Sequence, residues 1–311
     1  MDFTLTETQQ AVADLAAQVL TGPDPWKALA QAGLLDVSAP LDVPEVTVLL
    51  TEIGRRAPTM KALSMASALA MLRWGHPVPG ELLFTAAIRE PSNPEPDPPA
   101  TALANGKITG TKIGVPYAAE AHHILVPTSS GVALLDPHTE GVILTRTPSS
   151  TGEPEYTLRM DAAPVPGLLG GTQCVRDLYR LAVAGACALA DGAVAGALAL
   201  TRDHVATREQ FGRPLAAFQA VSQQIADIYI ASRTLHLATM AACWRLDPND
   251  LDVAAYWCTE QAPASVRLCH HLHGGVGMDV TYPLHRFSSL VSDLVRFLGG
   301  AQYRLDRCSS T

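Results

Sequence analysis

Thr207-Arg208-Glu209-Gln210-Phe211-Gly212-Arg213-Pro214-Leu215, with Phe218-Gln219 close behind, is the stretch from which the rest of the chain can be read. It closes one helix-like run and opens another. Gly212 is placed to break the first helix, Pro214 to start the second, and Gln219 follows one turn into it. Two readings of the corner stay open. As bare architecture it is a helix–turn–helix bend. As chemistry it is a polar grip for a phosphorylated, aromatic ligand. Arg208 offers charge-assisted fork bonds to a diphosphate, Phe211 offers a stacking face, and Gln219 can bond an adenine or ribose edge.

A second segment, His271 with His273-Gly274-Gly275-Val276-Gly277, bears on the choice. Residues 207–219 resemble the R-x-Q-F-G…F-Q signature of the acyl-CoA dehydrogenase family. The second segment resembles that family's Q-x-x-G-G-x-G turn, with His271 where the Gln is expected. Met1-Asp2-Phe3-Thr4-Leu5-Thr6-Glu7 is similar to the family's opening, and Leu29 to Pro40 to its next characteristic segment. The likeness runs over nearly the whole chain, which is short for the family. Two motifs in the right order and spacing are specific; either alone is weak. The resemblance implies FAD as cofactor, held by Arg208, Gln210, Phe211, Gln219, His271, Gly274 and Gly275. It places His271 at the diphosphate or ribityl edge. The alternative for His271 is a solvated helix C-terminus favoured by the macrodipole.

Composition narrows the function classes. At 311 residues, two or three domains and a sizeable core are expected. A net charge of −8, a pI of about 5.6 and the lack of a basic run argue against nucleic acid as a partner. The six cysteines show no C-x-x-C pair and no regular framework, which reads as free thiols in a reducing cytoplasm. Asp2, Glu7 and Asp14 leave no basic n-region, so no signal peptide is expected. Leu181 to Leu200 is almost wholly apolar, but it is Ala/Gly-rich and carries Asp191 near its centre. A charge there costs roughly 2.5–3.5 kcal/mol on an insertion scale. A tightly packed soluble helix is expected rather than a membrane span.

Periodicity divides the chain in three. Residues 1–82 read as an N-terminal helical domain. Thr6 caps a helix through Leu20 with Val12, Leu15, Ala16 and Val19 on one face, and Gly22-Pro23-Asp24-Pro25 ends it. A short helix covers 26–32, Pro44 opens another that Gly54 interrupts, and a last one runs over 60–73. Residues 83–172 read as a small β domain. Five prolines crowd 91–99, Asn105-Gly106 signals a tight hairpin, and Ser129-Ser130-Gly131 joins strands 124–127 and 132–135. Further strands fall at 142–145 and 156–160. Residues 173–311 return to helix, with Phe218, Val221, Ile225, Ile228 and Leu235 at helical spacing. A third helix runs from Leu251 to about His273, kinked at Pro263 and stopped by Gly274-Gly275. The class is α+β. The family resemblance implies N-terminal helices, a middle β-barrel-like domain and a C-terminal four-helix bundle.

Other chemistries fit poorly. His270, His271 and His273 have no Cys or carboxylate at ligand spacing, so no metal site is expected. His273-Gly274-Gly275 is similar to a lipase oxyanion loop, yet no G-x-S-x-G accompanies it. Gly275 and Gly277 are followed by Val280, so G-x-G-x-x-G is absent.

Departures from the family pattern decide the expected role. Its T-E-P-x-x-G-S-D loop is matched only by Arg89-Glu90-Pro91, followed by Ser92-Asn93-Pro94-Glu95-Pro96-Asp97. Its G-x-K-x-W-I-T strand is matched by Gly110 to Pro116, with Gly114 at the Trp and Pro116 at the hydroxyl that flank the flavin ring. In these enzymes a carboxylate removes the α-proton of the thioester as hydride leaves the β-carbon. Counted without gaps from Gly274, that base position falls on Leu298, so no catalytic residue is expected. A minority placement falls nearest Tyr179, with Asp177 an outside candidate. A chain with the dinucleotide clamp but neither cradle nor base resembles the short, non-catalytic partner in actinobacterial steroid-degrading α2β2 acyl-CoA dehydrogenases. There FAD is shared across the interface with a longer catalytic subunit, which holds most of the acyl-CoA. The rivals are a self-sufficient dehydrogenase with an unrecognised base and a non-enzymatic scaffold of the same fold.

Overall fold

Thr6 starts the first helix by satisfying its open amides. Its Oγ1 accepts from the Gln9 amide at 3.3 Å, while the Gln9 side chain accepts from the Thr6 amide at 3.0 Å. The computed structural model describes residues 3–22, 24–36, 42–56, 58–76, 78 and 82–309. Met1-Asp2 and Val37 to Pro40 of the motif matches, and Pro23 of the expected helix end, lie outside the described residues. The first helix, α1, spans Glu7–Val19 and buries Val12 and Ala16. Leu15 is instead 38% exposed, because the buried stripe of Gln9, Val12 and Ala16 runs to one side of it. Helix α2 (Pro25–Gln31) opens on an Asp24 cap, with Pro25 at its first position. Helix α3 spans Val43–Arg56, and α4 (Ser64–Arg73) follows a 3-10 turn at Met60–Leu63.

Gly54 does not interrupt α3. The helix runs through it, because the missing side chain lets α3 lie directly on another backbone. A Cβ on Gly54 would stand 2.3 Å from the Leu189 carbonyl oxygen. Gly192 answers from the opposite helix, where a Cβ would stand 2.0 Å from the Thr51 carbonyl oxygen. Packing outweighs the local cost of glycine in a helix.

The middle region holds β1 (Phe84–Ala86), β2 (Ala102–Ala104), β3 (Lys107–Pro116), β4 (His123–Thr128), β5 (Gly131–Leu135), β6 (Val142–Thr147), β7 (Glu155–Pro164) and β8 (Leu168–Gly170). They form two four-stranded sheets, β1-β4-β5-β8 and β2-β3-β7-β6. The sheets enclose one barrel-like core around Ile108, Val115, Ile124, Val126, Leu158 and Met160. Asn105 and Gly106 both take the left-handed conformation that a two-residue hairpin demands, with φ of 51° and 72°. The proline-rich loop is anchored by Glu90. Its carboxylate accepts from the Ala100 amide (2.8 Å), the Thr101 amide (3.0 Å) and hydroxyl (2.7 Å), and buried Lys112 Nζ (2.8 Å).

Helix α5 (Thr172–Thr207) is the axis of the molecule and packs against α3, α4 and the helices that follow. Its most apolar window is 89% buried, so the composition of 181–200 serves contact with neighbouring helices. A two-residue ladder follows, β9 (Glu209–Gln210) with β10 (Arg213–Pro214), then a 3-10 turn at Leu215–Ala217. Helix α6 therefore starts at Gln219 and not at Pro214, which pairs with Glu209. Helix α7 (Pro248–His273) starts before Leu251 because Asp247 caps the Asn249 and Asp250 amides. It continues through Pro263 to Gly274, whose φ of 59° ends it. Helices α8 (Leu284–Phe297) and α9 (Ala301–Ser309) close the bundle. One continuous apolar core joins α1–α4 to α5–α8 and reaches Phe84, Leu125 and Val132 of the sheet.

Candidate cofactor site

The corner after α5 is a tight exposed hairpin. Phe211 and Gly212 take left-handed φ values of 54° and 78°, and the Arg208 carbonyl accepts from the Leu215 amide at 2.8 Å. Phe211 stands at the tip, 92% exposed. Its neighbour Phe218 is already engaged: the Arg213 guanidinium lies 4.1 Å above its ring, and Phe211 meets it edge-on at 6.2 Å. The Arg208 backbone caps α5 through His204, and its exposed side chain has no ion pair or hydrogen bond among the described residues. Gln210 and Gln219 are exposed on the same hairpin and at the first position of α6.

The Gly-Gly turn sits at the same end of the bundle. His204, one turn before Arg208, stacks on His273, one residue before Gly274, with centroids 4.4 Å apart and planes 20° apart. Burial first, and the Arg208 charge second, hold His204 below the ordinary imidazole value. Burial likewise lowers His273. Two neutral rings thus form the floor between the motifs. His273 Nδ1 donates to the Cys269 carbonyl at 2.8 Å, leaving Nε2 to accept from the Tyr282 hydroxyl at 3.0 Å. His270 bridges the Gly277 carbonyl (2.9 Å) and Ser288 Oγ (3.0 Å), tying the turn to α8. His271, Gly274 and Gly275 remain exposed. His204, His270, His273 and Tyr282 were not singled out from sequence as positioning groups. The i, i+3 spacing of His270 and His273 was the available signal.

On the β side, the space expected for a flavin ring is bordered by charged side chains. Gly114 takes φ 63°, and a Cβ there would come within 3.0 Å of an Arg89 terminal nitrogen. Arg296 of α8 pairs with Glu155 of β7 at 2.5 Å and with Asp293 at 2.9 Å. Asp293 also accepts from the Ser150 and Thr151 amides at 2.7 and 3.0 Å. The buried Arg89 Nε has no hydrogen-bond partner among the described residues. An open cleft of about 450 Å³ remains, lined by Arg89, Arg296 and Tyr303.

The expected base position is closed. Leu298 is fully buried, its amide donates to the Leu294 carbonyl at 2.8 Å, and its carbonyl accepts from Arg304 Nε at 2.7 Å. The slot beside its neighbour Phe297, lined by Leu63, Ala66, Leu178 and Ala182, holds about 10 Å³. That is the limit for one water. Tyr179 is buried and donates to the Pro96 carbonyl at 2.9 Å. Asp177 accepts from Gln173 at 2.9 Å and lies 3.7 Å from Arg180 on the outer side of α5.

Comparison with known proteins identifies the family. Residues 177–302 match the family model for the acyl-CoA dehydrogenase C-terminal domain. The chain is 43% identical over 340 residues to acyl-CoA dehydrogenase FadE28 of Mycobacterium tuberculosis, with all of both sequences covered. The chain belongs to the acyl-CoA dehydrogenase family. It is also similar to the ChsE4-ChsE5 complex from Mycobacterium tuberculosis (TM-score 0.91, 28% identity, covering 100% of this chain and 98% of that one). A Tcur3481-Tcur3483 steroid ACAD matches with TM-score 0.89 and 29% identity over 99% of this chain and 98% of the other. The acyl-CoA dehydrogenase fold is thus the one on which the exposed hairpin and Gly-Gly turn sit. The flavin dinucleotide implied by the family fits unevenly. Unpaired Arg208 and the free Phe211 face suit its diphosphate and aromatic end, whereas Gly114, Pro116 and the Arg89 side chain do not suit the ring.

Proposed function

We propose that this chain is the non-catalytic subunit of a heteromeric, FAD-dependent acyl-CoA dehydrogenase. It supplies Arg208, Gln210, Phe211, Gln219, His271, Gly274 and Gly275 as the ADP-side clamp for FAD seated in a longer partner. The observation that carries this reading is an asymmetry. The clamp is exposed and open, while the base position is a buried leucine beside a slot of about 10 Å³. A chain acting alone needs both halves of the site.

The surface around the clamp supports a partner. Met278 and Val280 on the Gly-Gly turn are 78% and 79% exposed. Ile230, Leu237 and Trp244 recur every seven residues on the outer face of α6 and are also exposed. A stripe of this kind on a helix is the usual geometry for a neighbouring helix. The likeness to the ChsE4-ChsE5 complex and to a steroid ACAD supports a partner subunit and a steroid-derived acyl-CoA; the proposed assembly is α2β2 and its proposed location the cytoplasm. Within it, the chain is organised as helical residues 1–82, β residues 83–172 and bundle residues 173–311, and the partner holds most of the acyl-CoA. Expression alone and beside a longer, Glu-bearing homologue tests the reading. Colourless, inactive protein alone and a yellow, active complex together are expected. Turnover with stoichiometric FAD from the single chain overturns it.

A further inference from the structure

A cavity apart from the clamp adjoins the charged cluster through Ser150 and Thr151, whose amides donate to Asp293. It holds about 510 Å³ between α2, the 3-10 turn before α4, the loop ahead of β7 and the first turns of α8. That is within the roughly 300–1,000 Å³ typical of small-molecule sites. We infer that this cavity is a second ligand site, taking an amphipathic monoanion: an apolar body that carries one carboxylate.

Its two sides differ in chemistry. Trp26, Leu29 and Ile53 supply an apolar wall. Lys61 and Arg286 supply the cations. Lys61 Nζ lies 4.8 Å from the Trp26 ring centroid and 5.7 Å from that of Tyr117. Neither Lys61 Nζ nor the Arg286 guanidinium has an ion pair or hydrogen bond among the described residues, and both line the cavity. His285 Nδ1 lies 2.7 Å from the Tyr282 carbonyl, to which it donates, so Nε2 is its free ring atom.

The acids near Lys61, which are Asp24, Glu153 and Glu120, limit this charge without forming an ion pair with it among the described residues. Asp24 accepts from the Lys27 amide at 3.1 Å as the cap of α2. Glu153 accepts from the Met60 amide at 2.8 Å, and burial, the largest cause, pushes its carboxyl up from the ordinary value. Lys61 Nζ and the Arg286 guanidinium, neither in an ion pair among the described residues, are placed to meet one anionic head group. The nearby Asp24, Glu153 and Glu120 carboxyls disfavour a second negative charge, so a carboxylate fits better than a dianionic phosphate. Tyr117 holds a left-handed φ of 52° on the cavity rim, and such backbone is often kept where a ligand site requires it. Every group named belongs to this chain, so the site does not depend on the partner reading.

Calorimetric titration of the full chain, purified with any subunit that accompanies it, tests the assignment with decanoate and the uncharged decanol as probes. One decanoate per chain is expected, bound at least 10-fold more tightly than decanol. Lys61→Met and Arg286→Gln should each weaken decanoate by about 10-fold or more, a loss of a charge-assisted bond, and leave decanol unchanged. Ser289→Phe, which fills the cavity from α8, should abolish both. Thermal melts check that each variant folds, and the exposed Arg286→Gln keeps the test valid if Lys61→Met does not. Failure of the wild type to bind decanoate at millimolar concentration overturns the inference. So does decanoate binding that Arg286→Gln and Ser289→Phe leave intact, or free coenzyme A binding that Ser289→Phe removes.

Discussion

Restoring a carboxylate at the base position should not restore dehydrogenation, and the structure gives the cost. Leu298→Glu first forfeits the burial of a leucine, about 1.5–3 kcal/mol. The new carboxyl then sits in a site with no exposure, where Arg304 already pairs with Glu95 and Asp252. Burial raises such a group by up to about 3–5 units from an unfolded value of about 4.3, so it folds neutral at pH 7. Taking up a proton across the roughly 2.7 units between 4.3 and 7 costs about 3.7 kcal/mol at 1.36 kcal/mol per unit. The sum, about 5–7 kcal/mol, rivals the whole stability of a typical protein. The sign follows from a folded value raised above the unfolded one. Below about pH 4.3 both states are protonated and the titration cost vanishes; it grows as pH rises toward 7. Urea unfolding at pH 5 and pH 7, beside acyl-CoA turnover, is the assay. The deficit of Leu298→Glu relative to wild type should widen at pH 7, with no turnover. A variant as stable as wild type at pH 7 that desaturates acyl-CoA unaided would refute the closed-slot reasoning.

Three further outcomes follow from the same contacts. In the complex, Arg208→Ala should lose about 1.5–3 kcal/mol of FAD binding, roughly 10- to 150-fold, measured by FAD release on dilution. Arg208→Lys should recover only part, and Arg202→Ala on the same helix, where Arg202 pairs with Asp203 at 2.8 Å, should change nothing. Gly192→Ala brings a Cβ to 2.0 Å from the Thr51 carbonyl, so overpacking of about 1–3 kcal/mol should outweigh a helix-propensity gain of up to about 1 kcal/mol; equal or higher stability in urea contradicts the close approach. Glu90→Gln should cost about 3–5 kcal/mol, because it strands a fully buried ammonium, Lys112, which burial draws down to about 8 and which is still charged at neutral pH. Burial pushes Glu90 up, but the Lys112 bond and charge and the Thr101 and Ala100 donors together hold it below its ordinary value. Its stabilisation is therefore present above about pH 4.5 and lost as pH falls through the folded value, a component that Glu90→Gln should lack.

Features set by local chemistry were legible in the sequence. Thr6 caps α1, Asn105-Gly106 makes its hairpin, and Gly274 stops α7, because each depends on a few adjacent residues. Where sequence reading missed, a distant contact had overruled a local preference. Gly54 looked like a helix break, yet it is an α3–α5 contact with Leu189. Pro214 carried the signal of a first helical residue, but the left-handed pair Phe211-Gly212 draws it into a ladder with Glu209. In the site, the motifs marked the hairpin and the Gly-Gly turn. The His204–His273 stack that joins them links residues 69 positions apart, and no local spacing encodes it. The absence of the ring-flanking Trp was visible at Gly114. That Arg89 would border its space, with Arg296 held by Glu155 close by, was not.

The central claim is that this chain contributes half of a shared cofactor site. Native mass spectrometry of the co-expressed complex, with FAD counted by absorbance, tests it most directly. The account predicts a heterotetramer holding two FAD per four chains, with FAD lost from the Arg208→Ala complex on dilution and regained when FAD is added. A homotetramer of this chain carrying four FAD contradicts it.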